Sequence, residues 1–71
     1  MNSTVTKKLL SFTEATQKHI QLAAIYALGE GGNRSSAVVN RLLELTDDID
    51  HEIKIAAIKA LGRIHRKSDA A

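Results

Sequence analysis

The sequence predicts an all-α chain of two stacked helical hairpins, four helices in all, and three observations carry that reading. Apolar residues make up 44% of 71 positions while Phe12 and Tyr26 are the only aromatic rings of the Phe, Tyr and Trp type, so a core must be assembled from Leu, Ile, Val and Ala. That composition suits close-packed helices better than a β-sandwich, and the absence of proline leaves helices unbroken. Shifting the chain by 33 residues aligns it with itself: Ile20 to Gly29 falls on Ile53 to Gly62 with seven of ten positions identical. The same offset, without gaps, pairs Ser3 with Ser36, Val5 with Val38, Leu9-Leu10 with Leu42-Leu43 and Thr13 with Thr46. A repeat of this length marks a stacked architecture. The chain is therefore expected to be a single domain over 1–71, with repeat units at 3–33 and 36–66 and a disordered tail at 67–71.

Each unit divides into two helices, A and B. In the first unit Thr4 to Phe12 is a short, rather polar helix, and Thr16 is the expected cap of a second helix over Gln17 to Leu28. Gly29-Glu30-Gly31-Gly32-Asn33 ends it, because Gly and Asn tolerate the left-handed conformation of a helix stop. In the second unit Val38, Val39, Leu42, Leu43 and Leu45 form a helical apolar face after Ser35 or Ser36 as N-cap, and Thr46-Asp47-Asp48 interrupts it. Asp50 caps the fourth helix, with Glu52 in its first turn and Arg63, Arg66 and Lys67 toward its C-terminus, both charge placements favoured by the helix dipole. A 100° step per residue puts Ile20, Ala24, Ala27 and Leu28 on one side of the first B helix, with Ile53, Ala57, Ala60 and Leu61 as counterparts. Small residues between larger aliphatics let two helix axes approach closely, and Gly29 and Gly62 are expected to continue that seam.

Ten Lys and Arg against eight Asp and Glu leave a net charge of +2, too small to imply a nucleic-acid partner by itself. No cysteine is present, so disulfides and thiolate sites are excluded and a reducing, cytoplasmic setting is expected. The longest apolar run, Leu22 to Leu28, is far short of the ~20 residues of a membrane span, and no apolar segment of a secretory signal follows the charged residues near the N-terminus.

The segments Ile20 to Gly29 and Ile53 to Gly62 resemble the second helix of HEAT repeats, especially the short units first associated with phycobilisome lyases. Asp48-Ile49-Asp50-His51-Glu52-Ile53-Lys54-Ile55-Ala56-Ala57-Ile58-Lys59-Ala60-Leu61-Gly62 follows their pattern of an Asp-containing turn, an apolar residue, alanines and Ala-Leu-Gly. The resemblance implies a minimal right-handed α-solenoid whose B helices line a concave face, and a scaffold or binding surface as function. Gln21 and Lys54 stand where those units have Arg, and the first turn, Thr13 to Gln17, lacks Asp. Only two units are present, whereas about three usually bury a continuous core, so self-association into a two-fold dimer is expected.

On the B helices, Leu22, Ile25, Tyr26, Ile55 and Ile58 are read as an apolar strip on that concave face, flanked by Lys59 and Arg63. Tyr26 has the profile of an interface anchor, with apolar ring area and a hydroxyl that stays wet. The competing reading buries the strip internally. Lys59, Arg63, Arg66 and Lys67 share one side of the last helix; they form either a dock for an acidic partner or a solvated helix end. The leading expectation is a non-catalytic adaptor or regulator that binds a partner protein with an acidic rim. Nucleic-acid binding through the basic stripe is the alternative, although Tyr26 and Glu30 hold the corresponding positions of the first B helix. An accessory role in chromophore-lyase chemistry follows from the resemblance alone. No catalytic residues, metal or cofactor are expected: His19, His51 and His65 lack ligand spacing, and the glycine-rich stop lacks the strand and Lys-Ser/Thr of a phosphate loop.

Overall fold

The computed structural model describes residues 2–32 and 34–69, with side chains described through Arg66. Four helices follow in order, α1 (Ser3–Phe12), α2 (Lys18–Gly31), α3 (Ser36–Leu45) and α4 (His51–Asp69), and no strand occurs among the described residues. α1 and α2 form the first hairpin and α3 and α4 the second. The main seam is α2 against α4, followed by α3 on α4 and α1 on α2, while the two A helices barely meet. This is a two-unit helical-hairpin solenoid, 36 × 24 × 17 Å.

Local chemistry sets most helix ends. The side chain of Asn2 accepts from the Val5 amide at 2.9 Å and starts α1, and Ser35 accepts from Val38 at 3.4 Å and starts α3. Asp50 Oδ1 accepts from the amides of Glu52 and Ile53 at 2.9 and 3.3 Å, satisfying two orphan donors of α4. The start of α2 differs from expectation. Thr16 is not its cap: Gln17 occupies the capping position in an extended conformation and makes no side-chain capping bond. The stop of α2 is also later than expected, because Gly29, Glu30 and Gly31 remain helical and only Gly32, at φ 66°, turns left-handed. Packing explains the extension: Gly29 is buried against Ala60, which holds that turn in the helix. Asn33 lies outside the described residues. α4 runs through Asp69, so 67–69 continue the helix where a tail was expected.

The core is lopsided. Unit 1 contributes Ala24, Ile25 and Leu28, whereas unit 2 contributes Val38, Leu42, Leu45, Ile53, Ala56, Ala57, Ala60 and Ile64. From α1 only Thr6 is buried, with Leu9 and Leu10 packed partly against the core. Of the residues expected in the seam, Ile20, Ala27 and Leu61 are only half-buried and Ala24 is buried outside the main core cluster, whereas Leu28, Ile53, Ala57 and Ala60 join the cluster that α2 and α4 share. Gly29 approaches α4 so closely that a Cβ there would stand 2.9 Å from Ala60 Cα. Gly62 does not continue the seam: it is exposed, with no atom within 4 Å of where its Cβ would be.

Candidate functional site

The residues expected to form a strip on the B helices divide by burial. Tyr26 and Ile55 are 49% and 51% exposed, and Leu22 is half-buried with its side chain against the edge of the core. By helical spacing Tyr26 and Ile55 lie outside the buried arcs of α2 and α4, with Leu22 at the edge of the α2 arc. Ile25 is a correction. It is fully buried in the core and cannot contact a partner, because its arc of α2 is the one α4 covers. Ile58, its counterpart one repeat on, is 52% exposed and takes the corresponding arc of α4, which none of the described residues covers.

Lys59, Gly62, Arg63 and Arg66 line a shallow depression on α4 beside Ile55, which gives the surface its basic edge. Arg63 is not wholly committed to that edge: its guanidinium pairs with the Glu30 carboxylate across the seam, both groups remaining more than half exposed. The side chain of Lys67, also expected in this stripe, lies outside the described residues.

Several groups joining the units were not singled out from the sequence. Thr13 is fully buried in the first interhelix turn; its hydroxyl donates to Leu10 O at 2.6 Å and accepts from Arg41 Nε at 3.0 Å. Its carbonyl accepts from Gln21 Nε2 at 3.0 Å and Arg41 Nη2 at 3.2 Å. Gln21 thus stays within its own unit, and Arg41 of α3 makes the arginine joint to the neighbouring turn. The pairing of Thr13 with Thr46 was visible in the repeat, but nothing local indicated that only the first would be buried. Lys18 bridges the units at the start of α2, 2.8 Å from Glu52 and 3.4 Å from Asp50. The Glu52 hydrogen bond leads in raising the Lys18 pKa, with the Asp50 and Glu52 charges adding to it against a smaller opposing effect of burial. Burial pushes Asp50 upward, but the amides of Ile53 and Glu52 and the Lys18 ammonium together outweigh it and hold its carboxyl below the ordinary value. Ile49, in the α3–α4 turn, is 96% exposed.

Among the described residues no group of His, Asp and Glu could hold a metal ion, and no helix is long and apolar enough to cross a membrane. What remains is an open, partly apolar surface with a basic edge on a stack of helical hairpins, which defines a repeat scaffold. The family model for HEAT repeats matches residues 6–71, and the chain belongs to that family. HEAT repeats are generally protein-interaction modules and typically non-catalytic scaffolds. No curated protein and no solved structure gives a significant match.

Proposed function

We propose that this chain is a non-catalytic adaptor or regulator in the cytoplasm that docks one partner protein on the exposed surface of α2 and α4. The observation that carries the reading is the exposure of Tyr26 and Ile55, half exposed on adjacent helices, with Leu22 packed against the edge of the core and Lys59, Arg63 and Arg66 on the same helix as Ile55. An apolar anchor beside a largely basic edge, into which Glu30 reaches through its pair with Arg63, suits a partner segment with an aliphatic or aromatic residue flanked by Asp or Glu. Burial of the anchor supplies affinity and the basic edge supplies orientation and rate. The basic edge of Lys59, Arg63 and Arg66 favours an acidic partner for the strip. The surface is open and encloses no substrate, which fits binding better than catalysis.

The test is affinity capture with the native chain against a Tyr26→Ala bait, followed by titration of the captured protein at rising salt. The expected result is a partner with an acidic segment, retained by the native chain and lost on Tyr26→Ala and on Lys59→Glu, both variants melting as the native protein does. Its affinity should change only several-fold with salt. A loss of ~10³ or more between about 50 and 200 mM salt is the signature of counterion release and would replace this reading with nucleic-acid binding. A partner retained equally by all baits would remove the strip from the site.

A further inference from the structure

The two units bury each other with residues that the repeat duplicates, and the duplicates are open. Ile25 is fully buried while Ile58 is 52% exposed; Gly29 is buried while Gly62 is exposed. On the other side of the seam the asymmetry reverses. Val38 and Ala56 are fully buried, whereas their counterparts in unit 1, Val5 and Ala23, are exposed, Val5 at 44%. Each of these pairs is identical in residue type. The far side of unit 2 therefore repeats the surface that unit 1 presents to unit 2, and the far side of unit 1 repeats the surface that unit 2 presents in return. Each open face also carries a shallow groove, one along α1 beside Val5 and Leu9, the other beside Leu43, Leu61 and Ile64.

We infer that the occupant of these faces is a second copy of this chain, stacked head to tail so that unit 2 of one copy meets unit 1 of the next in the register of the internal seam. In that register Ala27 of the next copy lies over Gly62 as Ala60 lies over Gly29, a fit that needs glycine at the contact. Charge agrees as well. Glu30 and Arg63 occupy the same repeat position and pair across the internal seam, so Arg63 of one copy meets Glu30 of the next and the pair is reproduced with its order reversed. Two internal joints are not reproduced. His51 replaces Lys18 opposite Gln17 and His19 in place of Asp50 and Glu52, and Lys8 replaces Arg41 opposite Thr46. The contact between copies is accordingly weaker than the internal seam and concentration-dependent. Being heterologous, it propagates as an open stack unless its rotation closes a ring.

The association leaves Tyr26, Leu22 and Ile55 open but shares Arg63 and Gly62 with the basic edge of the proposed docking surface, and it rests on the repeat geometry and not on the proposed partner. It is tested by sedimentation equilibrium of the full chain from micromolar to millimolar concentration. The expected result is a mean mass that climbs from 7.7 kDa past twice that value without a plateau there. Gly62→Leu blocks the unit 2 face at a position with open space around it, and Ala23→Arg blocks the unit 1 face at an exposed helix position. Each variant alone should stay monomeric with its helical spectrum and melting intact, and an equimolar mixture should form a 1:1 complex through the two faces left open. If Gly62→Leu melts early, Ile58→Lys blocks the same face from a half-exposed site. Tyr26→Ala should stack as the native chain does. A native chain that stays monomeric at millimolar concentration, a mass that stops at a dimer, or a mixture of folded variants that does not combine overturns the inference.

Discussion

Gly29 and Gly62 occupy the same position of the repeat, yet adding one methyl group should change stability in opposite directions. A Cβ at Gly29 would stand 2.9 Å from both Cα and Cβ of Ala60 and 3.5 Å from its carbonyl oxygen. The obstruction includes backbone, so no rotamer relieves it and α4 must move away from α2. Overpacking costs about 1–3 kcal/mol, and a clash with a helix backbone belongs in the upper part of that range. Alanine in place of glycine within a helix returns about 1 kcal/mol, which leaves Gly29→Ala destabilising by about 1–2 kcal/mol. At Gly62 a Cβ meets nothing within 4 Å, so only the helix term acts and Gly62→Ala should stabilise by about 1 kcal/mol. For a domain of this size each kcal/mol moves the melting temperature by about 4–8 °C, so the two variants should differ by roughly 10 °C or more. Thermal melts followed by circular dichroism at low micromolar concentration read the difference directly. Should Gly29→Ala melt at or above the native temperature, the close approach of α2 to Ala60 would be refuted.

Two further outcomes test the joints between the units. Thr13→Val removes the buried hydroxyl that accepts from Arg41 Nε, and the loss should cost about 1–2 kcal/mol in urea unfolding. Thr46→Val, at a less buried counterpart whose hydroxyl donates to Leu43 O within its own turn, should cost well under half as much. Lys18→Met should lower the melting temperature by an amount that is steady from about pH 5 to pH 9. Asp50 has a lowered folded pKa, so its contribution is present at neutral pH and is lost as the pH falls through that folded value. Lys18 has a raised one, so its contribution is present below its ordinary value and is lost only as the pH rises through the raised value. The gap between Lys18→Met and native protein should therefore shrink in strong acid and again in strong alkali, and a gap that widens in acid would refute the bridge.

The alanine-rich pattern around Ala24, Ala57 and Ala60 and the ungapped offset of 33 residues were enough, from the sequence, to establish four helices paired as two hairpins. These features are local or periodic: caps such as Ser35 and Asp50 act over three residues, and helical spacing fixes which side chains share a face. The wider extent of α2 was not legible, because Gly29 reads as a helix stop until Ala60 is packed on it. Nor could the repeat say which copy of a position is buried. Ile25 and Ile58 sit in the same arc of equivalent helices, and Thr13 and Thr46 in equivalent turns, so the sequence treats each pair alike. Their burial depends on whether another unit stacks on that arc, which is a property of position in the stack and not of the residue. Only the tertiary structure could therefore take Ile25 out of the binding strip, join Arg41 to Thr13, and leave Gly62 open where Gly29 is closed.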